Sequence, residues 1–149
     1  MATVERYDFP DDRWYDAREH LWVLPEAQTA GATRTVASVG VDALGQELLG
    51  DVVYVQLPEP GAEVRRGDAL GSLEAEKMVR PIVAPVSGTV LEANQAVLAT
   101  ARLLNREPYG DGWLFRIRAS RWDEERRDLL HGEAAVTAWA RGEIEANRV

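Results

Sequence analysis

Residues 67 to 88 constrain the fold of this chain more than any other stretch. Apolar and β-branched residues in 69–75 and 79–83 predict two strands, and the closing turn reads Pro85-Val86-Ser87-Gly88. The short connection between the two strands contains Lys77. We therefore expect a β-hairpin that presents Lys77 at its solvent-exposed tip.

Lys77 is also chemically unique in the chain. Of the 17 Lys and Arg side chains, 16 are Arg, so Lys77 supplies the only side-chain primary amine. A guanidinium stays protonated and is a poor acyl acceptor, whereas a lysine amine can lose its proton and form an amide. An ordinary solvated surface charge is the alternative interpretation, because most lysines are exposed.

The rest of the chain predicts mainly strands with a few helices. Residues 1 to 17 are polar and aromatic and suggest an extended arm, and strands are expected from Arg18 onward and over 35–41. Asp42 has the features of an N-cap for a short helix over 43–49 that Gly50 ends. Turn residues and hydrophobic alternation also predict turns at 30–32 and 58–61, a helical turn over 100–105 and a strand over 113–118. Two helices are predicted at the end, over 121–130 and 133–147.

Composition excludes several classes of function. The net charge of −8 and a pI near 4.8 argue against a nucleic-acid partner, which needs clustered positive charge. The chain contains no cysteine, which excludes disulfides and thiolate sites, and its two histidines are not spaced like metal ligands. No apolar run is long enough to span a membrane, and we expect a cytoplasmic protein. No nucleophile or phosphate-binding motif appears, so we expect no catalysis by the chain alone.

The flanks of the lysine resemble a known family. The segments are Glu74-Ala75-Glu76-Lys77-Met78 and Ala84-Pro85-Val86-Ser87-Gly88, with eight residues from the lysine to Pro85. They resemble the lipoyl-carrying hairpin of the glycine cleavage system H protein family. The segments 50–61 and 105–114 also resemble that family, so the resemblance covers roughly residues 18 to 130.

The resemblance implies the fold and the domain organisation. The fold would be mainly β, a flattened β-sandwich of the biotinyl/lipoyl type (a barrel-sandwich hybrid) with a short internal helix and C-terminal helices. We expect an N-terminal arm over 1–17, the lipoyl-type sandwich over 18–120, and C-terminal helices over 121–149 packed on the same domain. A weak internal echo between 50–55 and 88–94 fits a sandwich made of two related halves.

The resemblance also implies the cofactor and its attachment. Lipoate would be bound covalently as an amide on Lys77, attached by a lipoate ligase or a lipoyl relay, and the chain would be a non-catalytic carrier with a swinging arm. Glu74 and Glu76 would help the attaching enzyme to recognise or shape the hairpin. Exposed charges with no role are the alternative for these two glutamates.

Two departures from the family pattern bear on the cargo that the arm carries. The family usually has His-Glu-Trp in its first strand, where this chain has His20-Leu21-Trp22, and a polar residue where this chain has Leu44. We place His20, Leu21 and Leu44 in a cargo groove. Apolar walls there favour a neutral or anionic sulfur cargo over a cationic aminomethyl group, because an unpaired buried charge is the costlier case.

Two sets of partners follow from these cargos. A sulfur cargo implies an H-like lipoate-binding protein of sulfur oxidation that works with a heterodisulfide-reductase-like complex, and we prefer this interpretation slightly. An aminomethyl cargo implies glycine decarboxylase, aminomethyltransferase and dihydrolipoamide dehydrogenase. A biotin carrier is a third alternative, since residues 74–78 also resemble Glu-Ala-Met-Lys-Met, and an unmodified scaffold is a fourth.

Overall fold

The computed structural model describes residues 1–26, 34–76 and 78–148. In these residues the chain is mainly β, with four short helices, one helix of 14 residues and one 3₁₀ turn at Arg126–Asp128. The strands are β1 Ala2–Val4, β2 Tyr7–Phe9, β3 Trp14–Asp16, β4 Leu21–Pro25, β5 Thr35–Val41, β6 Val52–Gln56, β7 Glu63–Val64, β8 Ala69–Ala75, β9 Val79–Val83, β10 Gly88–Ala93 and β11 Phe115–Ala119. The helices are α1 Ala43–Leu49, α2 Gln95–Ala99, α3 Leu103–Arg106, α4 Trp122–Glu125 and α5 Glu133–Ala146. None of these helices is long and apolar enough to cross a membrane.

Two antiparallel sheets enclose the main core. One has the order β3-β4-β5-β11-β10-β7 and the other has the order β6-β8-β9. Alternate residues of both sheets meet in one buried cluster that includes Val39 and Phe115 from the first sheet and Leu73 and Ile82 from the second. This arrangement confirms the β-sandwich that the resemblance implied.

The first sheet closes around Trp22. Gly40 lies directly opposite Trp22 in the β4–β5 pair, and a Cβ atom at Gly40 would come within 2.4 Å of the indole ring. The indole Nε1 donates a hydrogen bond to the Pro108 carbonyl at 2.9 Å. The Arg13 guanidinium lies 4.7 Å from the centre of the indole ring and 5.2 Å from the centre of the Tyr109 ring. Both distances are within the range of cation–π contacts.

The N-terminal residues differ from the extended arm that the sequence suggested. Strands β1 and β2 pair with each other, so the chain begins with a small hairpin. Phe9 and Tyr15 are fully buried and make edge or tilted ring contacts with Trp139 of α5. They belong to a second hydrophobic cluster, which also contains Val4, Trp22, Leu44, Val136, Ala140 and Ile144. The predicted apolar stripe of the last helix therefore packs mainly on the N-terminal hairpin.

Several element boundaries also differ from the predictions. The first long strand begins at Leu21, because Asp16 Oδ1 accepts hydrogen bonds from the amides of Arg18 and Glu19 and holds these residues in a turn. Helix α2 was not predicted, and the expected helix over 121–130 is one short α-helical turn followed by the 3₁₀ turn. Asp42 does cap α1, as predicted, by accepting a hydrogen bond from Gly45 N at 2.7 Å. The predicted turn at 30–32 lies outside the described residues.

Candidate functional site

The predicted hairpin is present, and the described residues beside its tip are exposed. Strands β8 and β9 are antiparallel neighbours, and Ala75 N donates to the Met78 carbonyl at 2.8 Å where the two strands end. Lys77 itself lies outside the described residues. Glu76 and Met78 on either side of it are both exposed, and the exposed fraction of Met78 is 46%. The described residues on both sides of the predicted attachment site are therefore open to solvent.

The base of the hairpin is held firmly. The closing turn contains Ser87, whose amide and hydroxyl each donate a hydrogen bond of 2.7 Å to the Glu125 carboxylate. Ser87 Oγ in turn accepts from Arg66 N at 2.9 Å. Glu125 is buried, so these charge-assisted hydrogen bonds are shielded from water. The hairpin is thus anchored to α4 at the end remote from its tip.

Arg80 connects the hairpin to the start of the first sheet. It lies opposite Leu73 in the β8–β9 pair and is largely buried, and its guanidinium is 3.9 Å from the Glu19 carboxylate. Burial lowers the pKa of Arg80, and the carboxylates of Glu19, Asp42 and Asp16 act in the opposite direction. Positive charge from the hairpin therefore meets a group of acidic side chains around the turn at 16–20.

His20 lies at the centre of that group. It is only 6% exposed and has a φ of 55°, a left-handed conformation that few residues other than glycine and asparagine adopt readily. Its Nδ1 is 3.4 Å from Asp42 Oδ2, and its Nε2 is 3.2 Å from Glu143 Oε1 on α5. Within the described residues, Nδ1 and Oδ2 have no other hydrogen-bond partner. The ring therefore links α1 to α5 best when it is protonated.

The pKa of His20 is raised above its ordinary value. Burial lowers this pKa, but the Asp42 and Glu143 carboxylates outweigh both burial and the charge of Arg80. A raised pKa means that His20 stabilises the fold fully below about pH 6.5, its unfolded value, and that this contribution is lost as the pH rises through the folded pKa.

We therefore expect His20→Asn to reduce the free energy of unfolding more at pH 6 than at pH 9. Asn suits the left-handed backbone at this position, so the difference between the two pH values isolates the charge of the ring. Urea unfolding of the wild-type protein and of His20→Asn at both pH values measures this difference in the free energy of unfolding. An equal loss at both values would show that the ring contributes no charge.

The three residues assigned to a cargo groove are all enclosed. Leu21 and Leu44 are each 2% exposed, but they belong to different hydrophobic clusters. His20 packs against α1, and a Cβ atom added at Gly45 would come within 2.7 Å of the His20 Cβ. His20 and Leu44 are thus neighbours beneath α5, whereas Leu21 points into the main core. The predicted recognition residues Glu74 and Glu76 are exposed beside the tip.

An open cleft lies near these residues but has a different lining. It has a volume of about 610 Å³ and runs between the turn at 16–19 and the end of β9. Its lining includes Asp16, Arg18, Glu19, Arg66, Val83 and Pro85. Apolar, acidic and basic groups are therefore all available along one side of the hairpin.

Sequence reasoning missed three members of this polar group. Arg80 could have been placed by strand alternation, because it is one residue from the outward-facing Val79. Glu143 lies one helical turn after Trp139 on the same side of α5, which only weakly indicates that it faces the body of the protein. Nothing local indicated that Glu19 would pair with the hairpin.

The comparisons with known proteins agree with this architecture. A family model described as the glycine cleavage H-protein matches residues 14–141. A glycine cleavage system H protein from Thermus thermophilus is 43% identical over 111 residues, which cover 74% of this chain and 80% of that protein. One from Corynebacterium jeikeium is 42% identical over 129 residues, 87% of this chain and 95% of that protein.

A solved structure gives the same answer at the level of the fold. The crystal structure of a glycine cleavage system H protein from Mycobacterium marinum matches with a TM-score of 0.73 and 33% identity, and covers 91% of this chain and 98% of that one. The sandwich, the hairpin and these similarities together show that the chain belongs to the glycine cleavage H-protein family, whose members are non-catalytic carriers of a lipoate bound covalently to a lysine.

Proposed function

We propose that this chain carries lipoate as an amide on Lys77 and transports the aminomethyl group of glycine between partner enzymes. The observation that carries the proposal is the hairpin: the single lysine of the chain follows a strand with an anchored base and has exposed neighbours. Bound lipoate supplies a disulfide that can be reduced and can then hold a group on one sulfur. The chain itself supplies the amine, a firm support and a surface for docking.

The residues around the hairpin would define where the arm can rest. Arg80 and Glu19 join the inner side of β9 to the turn at 16–20, next to the open cleft. Both carboxylates, Asp16 and Glu19, and guanidinium groups, Arg18 and Arg66, line this cleft, so it offers partners to a charged cargo of either sign. His20 and Leu44 would take part only if α5 moved, because both are covered by it.

The aminomethyl cargo now has more support than the sulfur cargo that the sequence slightly favoured. That preference depended on Leu21 and Leu44 as walls of a groove, and both side chains are buried in hydrophobic clusters where a leucine is expected for packing alone. The relatives described above are glycine cleavage system H proteins. We therefore propose glycine decarboxylase, aminomethyltransferase and dihydrolipoamide dehydrogenase as partners, with a lipoate ligase or lipoyl relay as the attaching enzyme.

The proposal predicts that the lipoylated chain is loaded by glycine decarboxylase. Incubation of the lipoylated protein with that enzyme and ¹³C-labelled glycine should release labelled CO₂ and add an aminomethyl group to the Lys77 peptide, as measured by intact mass and fragmentation. The unlipoylated chain is the control and should gain no mass. Loading with a sulfur donor but not from glycine would contradict the proposed cargo and restore the sulfur alternative.

A further inference from the structure

Arg80 is a largely buried cation with spare hydrogen-bond donors. Its side chain is 20% exposed, and the one ion pair that it forms within the described residues joins it to the Glu19 carboxylate at 3.9 Å, which is too long for a hydrogen bond. A guanidinium has five N–H donors and stays protonated at neutral pH. Arg80 can therefore donate hydrogen bonds to a further group.

The acidic groups around Arg80 do not fully compensate its burial. Glu19, Asp42 and Asp16 all raise the pKa of Arg80, yet burial outweighs them and the pKa is lowered. A lowered pKa means that the charged guanidinium is less stable here than in water. An anion that accepts hydrogen bonds from the free donors would stabilise the cation, because hydrogen bonds between charged groups are the strong ones.

The position of Arg80 indicates which anion can reach it. Three residues along the chain separate it from Lys77, so the two Cα atoms are at most about 11 Å apart. Arg80 lies opposite the buried Leu73, and directly opposed residues share a face of the sheet, so its side chain leaves β9 on the inner side. An arm on the Lys77 amine that folds back along the hairpin would come within reach of this side chain.

The anion that such an arm can carry is a thiolate. Reduced lipoate has two thiols, and a neighbouring arginine favours the charged form of a thiol. The carboxylates around Arg80, with Glu19 nearest, would repel an anion that arrives free from solution. Tethering offsets this repulsion, because it keeps the sulfur at a high effective concentration beside the guanidinium.

We propose that Arg80 is an anion site of the carrier, in which its guanidinium binds the thiolate of the reduced lipoyl arm. The inference rests on the proposed attachment of lipoate to Lys77. The step is a single deprotonation: one thiol gives its proton to water, the sulfur keeps the electron pair, and the thiolate accepts hydrogen bonds from Arg80 in place of the distant Glu19. Since the thiolate is the form that attacks a disulfide, the site keeps the reduced arm ready for exchange.

Alkylation of the reduced arm tests this site without any partner enzyme. The chain contains no cysteine, so the thiols that react belong to the arm. A water-soluble phosphine converts the lipoyl disulfide into two thiols and becomes a phosphine oxide with oxygen from water. After its removal, iodoacetamide is added and intact mass gives the rate of the first alkylation. The rate at pH 7 divided by the limiting rate at high pH is the thiolate fraction at pH 7.

We expect Arg80→Gln to lower this fraction about tenfold, since one unit in the pKa of the thiol changes the fraction tenfold. Arg80→Lys keeps the charge and should retain most of the fraction. Glu19→Gln should raise it, because it removes a carboxylate that competes for Arg80. The matched control is Arg118→Gln, which removes the same charge from an exposed position on the other large sheet and should change the fraction less than about twofold.

Four results would overturn the anion site while leaving the carrier function intact. They are an unchanged fraction in Arg80→Gln, an equal fall in Arg118→Gln, and a fall in Arg80→Lys as large as that in Arg80→Gln, which would indicate a role in shape rather than in charge. The fourth is a fall in the wild-type fraction with millimolar inorganic phosphate at constant ionic strength, which would assign Arg80 to a free anion. A wild-type chain that a lipoate ligase does not acylate would instead overturn the proposed function.

Discussion

Replacing Lys77 with Arg should abolish lipoylation and all carrier activity while leaving the fold unchanged. Arg keeps the positive charge and much of the side-chain length, but its guanidinium stays protonated and does not accept an acyl group. No other lysine exists in the chain to take over the modification. The expected result is therefore a complete loss rather than a reduction.

Intact mass after co-expression with a lipoate ligase measures this loss directly. The wild-type protein should gain one lipoyl group, located on Lys77 by fragmentation, and Lys77→Arg should gain none. Equal thermal unfolding of the two proteins serves as the control for folding. A biotin adduct on Lys77 would move the chain to carboxyl transfer, and full activity of Lys77→Arg would favour an unmodified scaffold.

Truncation of Trp22 to Ala should produce the largest loss of stability among single core substitutions that spare the hairpin. The indole fills the notch opposite Gly40, donates a hydrogen bond to Pro108 and lies beneath the Arg13 guanidinium. Removal of a buried aromatic ring of this size costs about 3–5 kcal/mol. The total stability of a domain is only about 5–15 kcal/mol, so this is a substantial share of it.

Urea unfolding followed by circular dichroism gives the free energy in both proteins. Tyr54→Ala is the matched control, because it also truncates an aromatic residue on a strand but one that is exposed, and its cost should be within about 0.5 kcal/mol. Equal losses for the two substitutions would contradict the assignment of Trp22 to the core.

The sequence predicted those parts of the fold whose signals are local. Strand β5 alternates and is β-branched, α1 has a capping residue at one end and a glycine at the other, and both are present with the predicted bounds. The hairpin strand β8 was likewise predicted from its turn residues and matches its expected range. In each case neighbouring residues alone decide the backbone conformation.

The missed features depend on contacts between distant residues. The N-terminal hairpin is held by α5, from the other end of the chain, and a few polar residues followed by aromatics do not reveal that partner. The link from His20 to Glu143 joins residues 123 positions apart. The burial of Leu21 and Leu44 in two different hydrophobic clusters is a further example, because only the packing of both sheets and α5 shows it.

The placement of α5 has a consequence for how the molecule opens. This helix packs on the N-terminal hairpin and on Trp22 and Leu44 in the second hydrophobic cluster. Two polar links join it to the turn at 16–20, namely Glu143 with His20 and the Trp139 indole with the Ala17 carbonyl. Lifting it would break no strand pair of either large sheet. Exposure of His20 and Leu44 therefore corresponds to a sub-global opening, in which α5 leaves the second hydrophobic cluster while both large sheets stay paired.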